Sequence, residues 1–151
     1  MKNVFLASVC AALLAATSSS FGHCQVPCGI YDDNTVIKMM HTDWVTIEKA
    51  AKTIVELQED PSANAHQLTR WIVNKESHAQ SIQETVLNYF LAQRLKVPAD
   101  EAGMAAYEKK LKLCHEVIVA AMKCKQSTDV KAVEKLHQLL HDFDAEFGTK
   151  E

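Results

Sequence analysis

Glycine and proline are scarce in this chain, with 4 and 3 occurrences among 151 residues. These residues form most turns and all glycine-rich phosphate-binding loops, so a chain with so few of them is expected to be mainly helical. The sequence contains no P-loop, no dinucleotide-binding signature and no Ser-His-Asp arrangement, and no segment has a convincing strand pattern. The common nucleotide-dependent and serine-hydrolase functions are therefore not expected.

An excess of basic residues is also absent. Lysine and arginine together number 16 against 19 aspartate and glutamate residues, which gives a formal net charge of −3. A protein that binds nucleic acid needs a basic surface to neutralise phosphate groups. Nucleic acid is therefore not an expected partner.

Residues 1–22 have the pattern of a cleavable leader. Lys2 gives a positive start, and the apolar run from Val4 to Ala16 is well short of the roughly 20 residues that span a bilayer, so no stable membrane anchor is expected. Ser20-Phe21-Gly22 fits the small-x-small pattern of a cleavage site, and a maturation protease would expose His23 as the N-terminus. This predicts a periplasmic or secreted protein. The alternative is a cytoplasmic protein that loses a pro-sequence.

The four cysteines that follow the predicted leader fall into two groups. Cys114 and Cys124 are ten residues apart on one predicted helix, about 15 Å along its axis, which is too far for a disulfide. They are predicted to be buried as small apolar side chains. Cys24 and Cys28 are close enough to form a disulfide in an oxidising compartment or to bind a metal together, and both alternatives stay open on spacing alone.

The run His23-Cys24-Gln25-Val26-Pro27-Cys28-Gly29-Ile30-Tyr31 directly follows the leader. After cleavage it offers a terminal amine, an imidazole, the amide nitrogen of Cys24 and two thiolates. An ion that prefers square-planar geometry uses this set better than zinc does. The run therefore predicts a nickel site in an irregular N-terminal hook, residues 23–34.

Chelation explains why these donors stand next to each other. The amine of His23 and the amide nitrogen of Cys24 close a five-membered ring with the metal, and the same amide with the Cys24 thiolate closes a second, fused ring. Fused chelation makes loss of the amide proton possible. Thiolates are strong donors that stabilise a higher oxidation state, so the predicted site is suited to redox chemistry.

Four amphipathic stripes follow the hook and predict four helices. The first stripe runs from Val36 to Leu57, the second helix covers roughly residues 63–96, the third stripe runs from Met104 to Met122, and the fourth from Val130 to Phe147. Short polar turns join them and supply the N-cap candidates: Asp32, Asp33 or Asn34 for the first helix, Asp100 for the third, and Ser127, Thr128 or Asp129 for the fourth. The fold class is therefore predicted to be all-α, an antiparallel up-down-up-down four-helix bundle over residues 35–147. The second helix is the longest and is expected to carry oligomer contacts.

The H-C-x-x-P-C-G-x-Y motif at residues 23–31, together with the predicted bundle, resembles the nickel superoxide dismutase family. The resemblance implies a hexamer with one nickel ion per subunit. The enzyme would disproportionate superoxide to O2 and H2O2 by Ni(II)/Ni(III) cycling once His23 is exposed. His23 would supply the amine and an axial imidazole, Cys24 its amide nitrogen and thiolate, and Cys28 the second thiolate.

The resemblance also implies roles around the metal. Pro27 would sit in a cis turn, and Tyr31 would gate the substrate pocket or hydrogen-bond within it, where a tyrosine hydroxyl or ordered water delivers protons to peroxide. The local pattern around Lys75 to His78 places His78 as the basic residue that holds the axial imidazole and Tyr89 as a second pocket tyrosine. Glu48 and Glu76 are the candidates for its acidic partner. Gln25 departs from the aspartate that many members carry.

Two other functions are compatible with the same residues. One is an exported protein that sequesters or delivers nickel or copper through the hook without catalysis, and the other is a disulfide-linked helical interaction domain. Tyr31 favours the enzyme, because a sequestration site needs no proton donor beside the metal.

A second group of possible metal ligands lies near the C-terminus. His137 and His141 are one turn apart on a helix face and could bind a metal, although solvated surface histidines are more common. Glu134 and His137 match the Glu-x-x-His motif of di-iron bundles, which need two such motifs. Only one is present, so a di-iron site is not expected.

Overall fold

The computed structural model describes residues 25–27 and 29–149, and this part of the chain is helical, with no strand. The four α-helices are α1 (Asp33–Leu57), α2 (Pro61–Thr85), α3 (Met104–Gln126) and α4 (Val130–Phe147). A π-helical segment, Val86–Arg94, continues α2, and a 3-10 turn, Glu101–Gly103, precedes α3. The all-α prediction is confirmed. The predicted leader and the ligands His23, Cys24 and Cys28 lie outside the described residues.

Aspartate side chains define where the helical segments begin. Asp32, Asp60 and Asp129 cap α1, α2 and α4, each carboxylate accepting a hydrogen bond of 3.0–3.1 Å from a backbone N–H in the first turn. Asp100 does the same for the 3-10 turn, at 3.1 Å. Such caps satisfy N–H groups that have no partner within the helix. The sequence predicted the caps at Asp32, Asp100 and Asp129.

The helices close around one core. α1 packs against α2 and α4, and α3 packs against the same two helices. The π-helical segment contributes Phe90, which is fully buried and lies 4.6 Å from Phe143 and 5.0 Å from Phe147, measured between ring centroids. Cys114 and Cys124 are free and fully buried, as the sequence predicted. None of the described helices is long and apolar enough to cross a membrane.

The predicted stripes are correct for most of α1 and α4 but partly wrong elsewhere. Ile72 and Leu111 fit the predicted apolar stripes and Val130 begins the fourth, yet these side chains are 43%, 41% and 57% exposed. The buried face of α3 includes Cys114, Cys124 and Ala121, as predicted, but the rest of it differs from the predicted stripe, and small residues are prominent in the whole set: Leu113, Cys114, Val117, Ala120, Ala121 and Cys124. Small side chains allow neighbouring helices to approach closely. The hydrophobicity of the residues alone therefore does not show which face of α3 is buried.

Lys75 interrupts the apolar stripe of α2 because it caps another helix. The side chain is 4% exposed, and its ammonium donates hydrogen bonds to the carbonyl oxygens of Cys124 and, at 2.7 Å, Lys125. These carbonyls belong to the last turn of α3, where a cation is favourable. Burial lowers the pKa of Lys75, and Glu76 at 3.7 Å opposes that shift.

Candidate metal centre

The described part of the hook consists of residues 25–27 and 29–34, on either side of Cys28. The Val26–Pro27 peptide bond is cis, the form that the family resemblance implied for Pro27. Gly29 has a φ of +82°, in the left-handed region that glycine occupies without steric cost. Val26 and Ile30 are 86% and 83% exposed. The assignment of His23, Cys24 and Cys28 as ligands stays a prediction.

Two tyrosines meet where the hook joins the bundle. Tyr31 directly precedes the cap of α1 and is half-buried, and its ring contacts that of Tyr89 edge to face, with centroids 5.7 Å apart. The Tyr89 hydroxyl donates a hydrogen bond of 2.8 Å to Asp33 Oδ1. Burial first, and this hydrogen bond second, raise the pKa of Tyr89 to about 12. Tyr89 therefore stays protonated near neutral pH, with its proton directed at a carboxylate.

The same carboxylate binds Arg94, the last residue of the π-helical segment. Arg94 Nε lies 2.7 Å from Asp33 Oδ1 and Nη2 lies 2.6 Å from Oδ2, while Asp33 is buried in the first turn of α1. The guanidinium carbon lies 4.6 Å from the centre of the Tyr31 ring, a cation–π contact. The hydrogen bond to Asp33 raises the pKa of Arg94. We call these four residues, Tyr31, Asp33, Tyr89 and Arg94, the tyrosine cluster.

Sequence reasoning found the two tyrosines of this cluster but missed the ion pair that holds them. The sequence pattern predicts Asp33 only as a possible helix cap and predicts no role for Arg94. The available signal was a second aspartate directly after the cap Asp32, on the face that points into the core. The ion pair joins positions 61 residues apart, a contact that helical periodicity cannot predict.

His78 lies elsewhere on the bundle, between α2 and α1. Its Nδ1 is 2.6 Å from Asp43 Oδ1, and Ser81 donates to Oδ2 of the same carboxylate at 2.7 Å. Asp43 is ten residues beyond Asp33, about 15 Å along α1. The contacts described for His78 join it to Asp43 and not to the tyrosine cluster, so its role toward the axial imidazole stays a prediction.

The two glutamates proposed as the acidic partner have other contacts. Glu48 forms an ion pair with Lys52 at 2.8 Å, and Glu76 lies 3.7 Å from the ammonium of Lys75. The carboxylate beside His78 is that of Asp43, which sequence reasoning did not consider.

Three further histidines, His41 on α1 with His137 and His141 on α4, lie together on another part of the bundle. Burial, followed by the neighbouring His141, lowers the pKa of both His41 and His137. Neutral imidazole is thus the favoured form of these two side chains near pH 7.

Comparison with known families decides the class of protein. The model of the nickel-containing superoxide dismutase family matches residues 16–150, which is most of the chain. The chain belongs to this family. It is an enzyme, an oxidoreductase that acts on superoxide, and its cofactor is nickel. No curated protein and no solved structure matched the chain.

The donors of this nickel superoxide dismutase fit its cofactor. The sequence supplies nitrogen donors at His23 and Cys24 and thiols at Cys24 and Cys28, a soft, mixed nitrogen and sulfur set that suits nickel. The described residues on either side of Cys28 lead directly into Tyr31 and the tyrosine cluster. In this dismutase Tyr31 and Asp33 are therefore the members of the tyrosine cluster that are closest in sequence to the expected ligands.

Proposed function

We propose that this dismutase becomes competent when residues 1–22 are removed and His23 becomes the N-terminal residue. The three segments are then the leader 1–22, the hook 23–34 and the bundle 35–147. The apolar run and the small-x-small ending of the leader support export by a secretory route, which gives a periplasmic or secreted enzyme and requires a maturation protease. Removal of a pro-sequence in the cytoplasm is the alternative route to the same N-terminus.

In the processed chain, His23, Cys24 and Cys28 hold one nickel ion per subunit. His23 contributes its amine and its imidazole, Cys24 its amide nitrogen and thiolate, and Cys28 the second thiolate. When bound, nickel supplies a one-electron Ni(II)/Ni(III) couple that thiolate donors bring within reach of superoxide as both reductant and oxidant. The remaining requirements of the reaction, substrate approach and proton supply, belong to the side chains.

Tyr31 is the proton-handling residue of this site. Conversion of two superoxide ions to O2 and H2O2 consumes two protons, so a donor is needed beside the metal. The Tyr89 hydroxyl already donates a hydrogen bond to Asp33, and its pKa of about 12 opposes release of the hydroxyl proton. Tyr31 is half-buried, lies three residues after Cys28 and can recover a proton from solvent. The tyrosine cluster is the observation that carries this assignment.

Arg94 and Asp33 position Tyr31. The buried Asp33 fixes the guanidinium through three hydrogen bonds, and the guanidinium lies over the Tyr31 ring. Because the side chain of Arg94 is 32% exposed, it also presents positive charge to solvent beside the hook. This charge favours the approach of an anionic substrate.

His78 is proposed as the basic residue that would support the imidazole of His23, with Asp43 as its acidic partner. The 2.6 Å contact between His78 and Asp43 supports this pairing, since a carboxylate fixes the orientation of an imidazole. Substitution of His78 by Gln is expected to lower turnover while nickel content is retained. Retained turnover would assign the pair to helix packing alone.

The quaternary and tertiary arrangement is proposed as a hexamer of antiparallel up-down-up-down bundles. Loops of three residues, 58–60 and 127–129, join α1 to α2 and α3 to α4, which supports antiparallel neighbours. Ile72, Val73 and Leu87 are 43%, 57% and 46% exposed on the second helix and its continuation. Such apolar side chains are suited to subunit contacts.

Nickel analysis combined with superoxide decay tests the proposed ligands. In the processed chain, Cys24→Ser and Cys28→Ser are each expected to lose the nickel held by the hook, together with the activity, because each removes a strong donor and a coordination position. The matched control is Cys114→Ala, which removes a buried thiol from the bundle and is expected to keep both. His23→Gln keeps the amine, so it should retain nickel and lose most turnover. Full activity in either serine variant would overturn the ligand assignment.

A further inference from the structure

Three imidazoles from two helices converge on one face of the bundle. His137 and His141 lie one turn apart on α4, and their Nε2 atoms are 3.1 Å apart. The ring of His41, from α1, has its centroid 5.2 Å from that of His141 and 6.1 Å from that of His137. None of these three histidines belongs to the proposed catalytic site.

The separation of the two Nε2 atoms is compatible with binding to one metal ion. Nitrogen ligands at about 2.0–2.1 Å from an ion lie about 2.9 Å apart at a right angle and about 3.3 Å apart at the tetrahedral angle. The observed 3.1 Å lies between these values. Two imidazoles spaced i and i+4 on a helix can therefore chelate an ion with little movement of either ring.

The surroundings hold one of the rings in place and leave the other accessible. The indole of Trp44 stacks on His137 with centroids 3.6 Å apart and planes within 4°, and Trp44 Nε1 donates to the carbonyl of Val133 at 2.9 Å. This stacking restricts the orientation of the His137 ring before any ligand arrives. His141 is exposed, so an ion can enter from solvent.

We propose that His137 and His141 form a second metal site, separate from the hook, for a late first-row divalent ion such as Ni²⁺. Imidazole nitrogens favour nickel, copper and zinc over oxygen-seeking ions such as Mg²⁺. Within residues 25–27 and 29–149 no group of three or more His, Cys, Asp or Glu side chains is arranged to hold a metal. The site is therefore a two-imidazole chelate whose other positions are filled by solvent, with His41 packed against both rings.

The site is tested in the full chain carrying Cys24→Ser and Cys28→Ser, which removes the thiolates of the hook. Calorimetric titration with Ni²⁺ is expected to show one equivalent bound, and Mg²⁺ is expected to show none. Adding His141→Ala should weaken Ni²⁺ binding at least about tenfold, since it removes one of two protein ligands. The matched control is His115→Ala, an exposed histidine on α3, which should leave the affinity unchanged.

A spectroscopic measurement identifies the ligands independently of affinity. Paramagnetic Ni²⁺ is expected to broaden the imidazole proton signals of His137 and His141 before those of His66 and His115. Circular dichroism of each variant confirms that the helices are retained. If Ni²⁺ affinity is the same with and without His141, or if no imidazole signal broadens selectively, the pair is only a hydrogen bond between neutral histidines and the proposal is wrong. Because the hook thiolates are absent in this experiment, either result leaves the assignment of the catalytic ligands untouched.

Discussion

The guanidinium of Arg94 binds the buried carboxylate of Asp33 through two nitrogen atoms, at 2.7 Å for Nε and 2.6 Å for Nη2. This ion pair connects the end of the π-helical segment to the first turn of α1, two residues after Tyr31. Since the guanidinium also covers the Tyr31 ring, one contact links the stability of the bundle to the geometry beside the expected nickel ligands.

Substitution of Arg94 by Gln is expected to lower the free energy of unfolding by about 2 kcal/mol, because it leaves the Asp33 carboxylate buried without its cation. Superoxide decay should also slow, since Tyr31 loses the group that positions it. Urea titration with far-UV circular dichroism measures the first effect. Lys52→Gln is the matched control. It breaks an exposed pair with Glu48 and should change stability by less than about 0.5 kcal/mol. Equal losses in both variants would contradict the role given to the buried pair.

The two tyrosines are expected to respond differently to replacement by phenylalanine. Tyr31→Phe should reduce kcat about tenfold at unchanged nickel content, because proton delivery then depends on water alone. Tyr89→Phe should instead lower the free energy of unfolding by about 1 kcal/mol, through loss of the hydrogen bond to Asp33, with a smaller effect on kcat. Stopped-flow superoxide decay and urea titration separate the two effects. An unchanged kcat in Tyr31→Phe would remove Tyr31 from the proton pathway.

Burial raises the pKa of the Cys114 thiol to about 12 and that of Cys124 to about 11, from an ordinary value of 9.0. Below pH 9 the folded and unfolded chains hold these protons equally. As the pH rises from 9 toward 11 and 12, the unfolded chain loses protons that the folded chain keeps, so these thiols make stability fall across that window.

Cys124→Ala is therefore expected to be less sensitive to alkali than the parent chain. The difference between unfolding free energies at pH 8 and pH 10.5 should be smaller in the variant, although its stability at pH 8 is lower because a buried side chain has been truncated. Urea titrations at the two pH values measure this difference. The same loss in both chains would show that Cys124 does not hold its proton more tightly when folded.

Assembly of the processed chain is expected to depend on the exposed apolar side chains of the second helix. Val73→Glu should shift the molecular mass measured by light scattering from a hexamer toward smaller species, because a charge replaces an apolar contact. Met122→Glu, at an exposed position on α3, is the matched control and should leave the mass unchanged. A fully active monomer of the parent chain would refute the hexamer.

Sequence reasoning recovered the features that local rules govern. The four helices, the caps at Asp32 and Asp129 and the burial of Cys114 follow from periodicity and from the chemistry of helix ends, which involve residues a few positions apart. The contacts of Asp33 with Arg94 and of Asp43 with His78 join different helices, so they depend on how the helices are rotated and packed. The same dependence explains why Leu111 is exposed although its hydrophobicity fits the stripe.

The central claim is that the amine of His23 is a nickel ligand, and the most direct test compares chains that begin at His23 and at Gly22. A terminal amine with a pKa near 7.7–8.0 is available to bind metal, whereas the nitrogen of His23 behind even one residue is an amide of far weaker acidity. Both chains should have the same helicity and melting temperature, because α1 begins at Asp33, beyond the expected ligands. Superoxide decay per mole of added nickel should be high for the chain that begins at His23 and strongly suppressed for the chain that begins at Gly22. Equal activity, with both N-termini verified as intact by mass spectrometry, would contradict the claim.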